Sequence, residues 1–169
     1  LTKTSREATL ETIANALYDC HYQLGEGQLN FMPSRRTSKN YCAICSRIVL
    51  DDEAKQEVSE ISYMELYQYM QRKTLPNGES YLKFVYDTDS ANEMLITLTK
   101  VSEEIKNQKE IEVTPNDLKI NLQSEQGNIV MAQLSTQSTW EAWAGSVLGG
   151  GSVILGGTAV AIGIVAAPY

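Results

Sequence analysis

Three cysteines and a single histidine are the residues of this chain best suited to binding a metal or forming a covalent bridge. Cys42-Ala43-Ile44-Cys45 is a C-x-x-C, and Cys20-His21 lies upstream of it. Four soft ligands of these types could hold zinc tetrahedrally, although neighbouring Cys20 and His21 diverge on a helix and make an awkward pair of ligands. A second chemistry is one disulfide, from Cys20 to Cys42 or Cys45, that pins the first helix to the next element and leaves the third thiol free or available to another chain. A redox C-x-x-C is a third, but it needs a strand-to-helix turn within a βαβ unit, which the surrounding pattern does not provide. Three reduced, buried thiols acting as small apolar side chains are the fourth.

Nucleophilic and phosphate chemistry find little footing. The chain has no G-x-S-x-G, and its one histidine, His21, has no catalytic motif around it. Gly25-Glu26-Gly27 is too short for a phosphate loop, and no Lys-Ser/Thr follows a Gly-rich run. Asp51-Asp52 and Glu103-Glu104 read as helix ends and solvated faces. The expectation is a protein that is not an enzyme, with no catalytic residue, no metal and no cofactor.

Charge is distributed unevenly. Asp and Glu number 21 against 14 Lys and Arg, a net charge of −7, and Glu141 is the last charged residue. This surface repels nucleic-acid phosphates and offers no basic stripe to offset the repulsion, so no nucleic-acid partner is expected. It also gives anionic lipid nothing to attract, so any membrane binding must come from apolar burial.

Apolar burial is what the C-terminal end offers. Seven of the eleven glycines lie between Ala142 and Tyr169, and Ala144 to Ala167 is 24 residues without charge, amide or histidine. As a helix that stretch would be about 36 Å long, enough to cross a hydrocarbon core of ~30 Å with some tilt. Trp140 and Trp143 at one end and Tyr169 at the other are aromatic residues suited to the two headgroup zones. Ala142, Gly145, Gly149, Ser152, Gly156, Ala159, Gly163 and Ala166 are spaced alternately three and four apart, which on a helix makes one flat stripe for close helix–helix packing. Glycine opposes that helix in water, at roughly 0.5–1 kcal/mol per interior position relative to alanine. In lipid the penalty for open backbone groups is larger and restores it. In composition the segment resembles the Gly/Ala-rich hydrophobic segments of membrane-inserting toxins and fusion peptides.

The elements that would carry these features follow from periodicity and caps. Thr4-Ser5-Arg6-Glu7 reads as a capping box, and Leu10, Ile13, Ala14, Leu17 and Leu24 predict an amphipathic helix over 5–22. Residues 25–40, with Pro33, Arg35 and Arg36, have loop composition. Tyr41 to Leu50 is a strand or a helix start. Asp51-Asp52 opens a helix expected to run to Gln71 through Ala54, Val58, Ile61, Leu66 and Met70. After the Pro76-Asn77-Gly78 turn, Tyr81–Tyr86 reads as a strand by β-propensity. Thr88, Asp89 and Ser90 cap a helix whose apolar positions run from Ala91 to Ile105. Leu118, Ile120 and Leu122 alternate with polar residues, as a half-buried strand does, and Ser124–Gly127 is expected to turn that strand into a hairpin with Asn128–Leu134.

The order predicts an α+β fold: a small, mostly antiparallel sheet packed with about three amphipathic helices, plus a C-terminal Gly-rich hydrophobic helix. Residues 1–137 would be a soluble domain, and residues 138–169 a membrane-inserting or core helix. The chain begins at Leu1, as a processed product or fragment would. The leading expectation is a secreted, then membrane-associated protein of the toxin or pore-former type, with a lipid bilayer as partner and self-association within it. Two others stand beside it. One is a membrane-anchored binding module with a protein partner. The other is a soluble disulfide- or zinc-stabilised interaction domain with the hydrophobic helix in its core.

Overall fold

A computed structural model describes residues 5–25, 40–96, 118–125, 127–135 and 160–166. Helix α1 (Ser5–Gln23) buries Thr9, Leu10, Ile13, Ala14, Leu17 and Cys20, a stripe at three- and four-residue spacing. Thr9 and Thr12, both inside the helix, donate their hydroxyls back to the carbonyls of Ser5 and Ala8 at 2.8 and 2.9 Å. Thr4, the expected N-cap, lies outside the described residues.

Strand β1 (Asn40–Ile48) resolves the ambiguity of the Tyr41–Leu50 segment. The single helix expected from Asp51 to Gln71 is instead two helices separated by a strand. Helix α2 (Asp52–Glu57) starts where Asp51 accepts from the Ala54 amide at 2.8 Å, buries nothing, and stops at extended Val58. Strand β2 (Glu60–Ser62) follows, and Ser62 caps helix α3 (Tyr63–Arg72) by accepting from the Glu65 amide at 3.2 Å. This second cap signal, Ser62-Tyr63-Met64-Glu65, breaks the helix, because β2 gains a strand partner that a continuous helix would forgo. Tyr63, Leu66, Tyr67 and Met70 form the buried face of α3.

Helix α4 (Tyr81–Tyr86) replaces the strand expected there. Ser80 accepts from the Lys83 amide at 3.0 Å, and helical spacing puts Leu82, Val85 and Tyr86 on one buried face. Here packing against α1 and α3 outweighs the β-propensity of the aromatic and branched residues. Asp87 ends the helix in the left-handed region, φ 56°. Residues 91–96 are helical, with Ser90 Oγ accepting from the Glu93 amide at 3.2 Å.

Two antiparallel sheets complete an α+β architecture. Strand β3 (Lys119–Asn121) pairs with β2, and Ile61 opposes Ile120, both buried. Strand β4 (Asn128–Ser135) lies between β1 and strand β5 (Val160–Ala166). The turn closed by Gly127 N–H to Ser124 O at 3.0 Å therefore does not make the expected hairpin; it passes the chain from one sheet to the other. Gly127 is required at this crossing. Its φ is +79°, and an added Cβ would come to 2.3 Å from the Ile48 carbonyl oxygen. Helix α1 touches β1, β4 and β5 as well as α3 and α4, so its buried face lies at the centre of the core.

Strand β5 also corrects the C-terminal helix over part of its length. Residues 160–166 are a strand with a continuous register on β4, from Leu134 opposite Val160 to Asn128 opposite Ala166. Val160, Ile162, Ile164 and Val165 are β-branched, Gly163 disfavours a helix, and β4 supplies the backbone partners that a helix would otherwise find within itself. The rest of the 138–169 segment lies outside the described residues.

Candidate functional site

Cys20 and Cys45 form a disulfide that joins α1 to β1 across a Cα separation of 5.3 Å. A β-bulge makes this bond possible. Ile44 opposes Met131 and Ser46 opposes Val130, so Cys45 is the extra residue of β1. In an unbroken strand Cys45 would share a face with exposed Arg47; the bulge resets that alternation and turns Cys45 toward α1 beside Ser46. Cys20 is completely buried and Cys45 partly so.

This bond settles which of the cysteine chemistries the chain adopts in the structure. Oxidised sulfurs do not ligate zinc, so the set Cys20, His21, Cys42 and Cys45 is not a zinc site, and among the described residues no group of three metal-ligating side chains converges. The redox C-x-x-C fails on distance as well. Cys42 and Cys45 are three positions apart on a strand, roughly 10 Å at ~3.3 Å per residue, beyond the reach of a disulfide. Cys42 takes the register position opposite Gln133.

Beside the bond lies a cleft of about 290 Å³ lined by Thr12, Asn15, Asp19, Gln23 and Ser46 together with both bridged cysteines. Ser46 Oγ is buried there without a hydrogen-bond partner among the described residues. A larger groove of about 530 Å³ runs between α1 and α3, past Leu10, Tyr69 and Arg72. Its rim is clamped by Arg6, which donates two hydrogen bonds to the Glu65 carboxylate at 2.5 and 2.6 Å. That paired hydrogen bonding is the main cause of the upward shift of the Arg6 pKa.

Lys73, at the end of α3, anchors a polar and aromatic knot that periodicity did not reveal. Its ammonium donates to Asn15 Oδ1 at 2.8 Å and to Glu11 Oε1 at 3.2 Å, and sits 4.8 Å from the centre of the Tyr81 ring. Tyr81 stacks on Tyr18 at 5.0 Å, Tyr18 meets Phe84 at 4.9 Å, and His21 stands edge-on to Phe84 at 5.1 Å. The knot ties α1, α3 and α4 together. It gives Lys73 two hydrogen-bond acceptors and an aromatic face and sets His21 against Phe84, an arrangement that serves packing and cation–π attraction. The signal available in the sequence was the density of tyrosines in residues 63–86, which does not say which rings meet.

Deeper in the core, Tyr67 is fully buried and Tyr86 nearly so, with rings 5.8 Å apart and edge-to-face. Burial pushes both phenol pKa values well up from the ordinary value. Tyr67 Oη has no hydrogen-bond partner among the described residues.

Of the small-residue stripe, Gly163 and Ala166 belong to β5, opposite Met131 and Asn128. A strand places residues three apart on opposite faces, so these two do not extend a helical stripe here. Ala142, Gly145, Gly149, Ser152, Gly156 and Ala159 lie outside the described residues, as do Trp140, Trp143 and Tyr169. Among the described residues no helix is long and apolar enough to cross a membrane. The pairing of Leu134 with Val160 nevertheless brings together the two ends of the chain segment 136–159, of which residues 142–159 carry no charge. No protein-family model matches the chain, and no curated protein or solved structure proves similar to it.

Proposed function

We propose that this chain is a non-enzymatic, membrane-active protein of the toxin or pore-former type, secreted and then membrane-associated through its uncharged C-terminal segment. The observation that carries the reading is the uncharged run from Ala142 onward combined with the Leu134–Val160 pair. The pair returns the chain to the same sheet at either end of a segment whose residues 142–159 are uncharged. The Cys20–Cys45 bridge supports an oxidising, extracellular setting.

Geometry constrains how such a segment enters lipid. Residues 142–159 as a helix would measure about 27 Å, close to the ~30 Å hydrocarbon core. A single pass would carry Val160 to the far side, away from Leu134. A spanning state built on one helix therefore requires β5 to leave β4, after which residues 144–167 form the C-terminal Gly-rich helix and the small-residue stripe mediates self-association.

The test uses the full chain and a full-length variant in which Val147, Leu148, Ile154 and Leu155 are all serine. Both are floated with neutral liposomes while dye release is recorded. The proposal expects flotation and leakage for the natural chain and loss of both in the variant. Flotation without leakage would replace it by the membrane-anchored binding module. If the natural chain stays out of the lipid fraction, the reading is wrong. The soluble disulfide-stabilised interaction domain, which the incorporation of β5 into the sheet favours, would then take its place.

A further inference from the structure

The β1-β4-β5 sheet leaves β1 at one margin: β4 occupies one side of it, and no described strand occupies the other. A bare strand edge is a row of unpaired amide and carbonyl groups that another strand can complete, and proteins ordinarily guard it with charge, proline or a covering element. From Asn40 to Ser46 β1 has neither charge nor proline, and Ile44 is 67% exposed. In a chain of net charge −7, this neutral run, followed by the cation of Arg47, lets two copies meet without carboxylates facing one another.

The bulge sets the register of such a meeting. It divides β1 into two regular runs, Asn40–Ile44 and Ser46–Ile48, and the longer has Cys42 as its middle residue. A symmetric antiparallel pair built on that run sets Asn40 opposite Ile44 of the second copy, Tyr41 opposite Ala43, and Cys42 opposite itself. We propose that the free edge of β1 is a self-association surface, on which β1 of a second copy pairs antiparallel about a two-fold axis at Cys42 and joins the two sheets into one. The interface is isologous and closed, so it yields dimers rather than fibres. It operates in water and does not depend on the membrane reading.

Directly opposed residues of an antiparallel pair have Cα atoms about 4.5–5.5 Å apart, within the span of a disulfide at ~4.4–6.8 Å. Cys42 is therefore a reporter of the register. With glutathione disulfide as oxidant, a sulfur–sulfur bond forms between the two Cys42 side chains. The bond in glutathione disulfide breaks, and its halves leave as two thiols carrying the protons lost by the cysteines.

The experiment is sedimentation velocity on the oxidised full chain without lipid, from micromolar to near-millimolar concentration. Non-reducing electrophoresis after glutathione disulfide treatment accompanies it. The natural chain is expected to dimerise reversibly and to become covalently dimeric on oxidation. Cys42→Ser should keep the reversible dimer and lose the covalent one. Ile44→Lys adds a charge to the edge at an exposed position and should raise the dissociation constant by about tenfold or more while leaving the melting temperature unchanged. A chain that stays monomeric throughout would overturn the proposal. So would a dimer that Cys42 does not cross-link or that Ile44→Lys leaves intact, since it would use another surface such as the β5 edge.

Discussion

Removing the Cys20–Cys45 bridge has an effect that the structure allows to be worked out in advance. The bond closes a loop with a sequence separation of 25, for which the chain-entropy relation gives about 3.5 kcal/mol of stabilisation through the unfolded state. For a chain of this size each kcal/mol moves the melting temperature by about 2–4 °C, so an opened bridge should melt about 7–14 °C lower. Two perturbations separate the cross-link from the packing of its sulfur atoms. Reduction opens the bond and keeps both sulfurs, whereas Cys20→Ala with Cys45→Ala also leaves a void at Cys20, which is completely buried. The reduced natural chain should lose about 3.5 kcal/mol by denaturant unfolding, and the double-alanine chain more than that. The double-alanine chain should then be indifferent to reductant. A loss below about 1 kcal/mol on reduction would refute the reasoning, because the bridge would be closing a loop that the unfolded chain already holds. Alkylation of the unreduced, denatured monomer offers an independent check: only one of the three cysteines, Cys42, should be labelled.

Gly127→Ala should destabilise the fold by at least about 2 kcal/mol in denaturant unfolding, since it combines a left-handed φ with a Cβ 2.3 Å from the Ile48 carbonyl; an unchanged midpoint would show that the β3–β4 crossing can rearrange. Tyr67→Phe removes a buried hydroxyl without a partner among the described residues and should leave stability unchanged or raise it by about 1 kcal/mol, whereas a loss of that size would reveal a hydrogen bond to a buried water or another group. Because burial raises the phenol pKa values of Tyr67 and Tyr86 in the folded state, the stability they contribute is complete below the unfolded value near 10 and is lost as pH rises beyond it. Tyr67→Phe should accordingly flatten the alkaline limb of the stability–pH curve.

What was legible in the sequence was local. The period of Leu10, Ile13, Ala14 and Leu17 describes α1 because a helix shows its buried face within a few residues. Leu118, Ile120 and Leu122 likewise announce β3 by alternation, and the exposed–buried–exposed order of Lys119, Ile120 and Asn121 follows it. Caps were legible where they stood alone, as at Asp51 and Ser90. At Ser62 the cap was hidden inside an apolar pattern that suits a longer helix equally well.

What only the tertiary structure decided was every choice of partner. Three connectivities were open to the cysteines, and the bulge at Cys45 selected one by turning that side chain to the α1 face. Tyr81–Tyr86 has the residue types of a strand but finds helices rather than a strand edge beside it, so it coils. Residues 160–166 show the converse. Their composition suits a helix in lipid or a strand in a sheet, and β4 settles the matter by offering backbone partners along their whole length. Helical period and capping are encoded within one or two turns of chain. Strand pairing, disulfide pairing and aromatic contacts depend on residues tens of positions away, and their identity is set only when the core closes around α1.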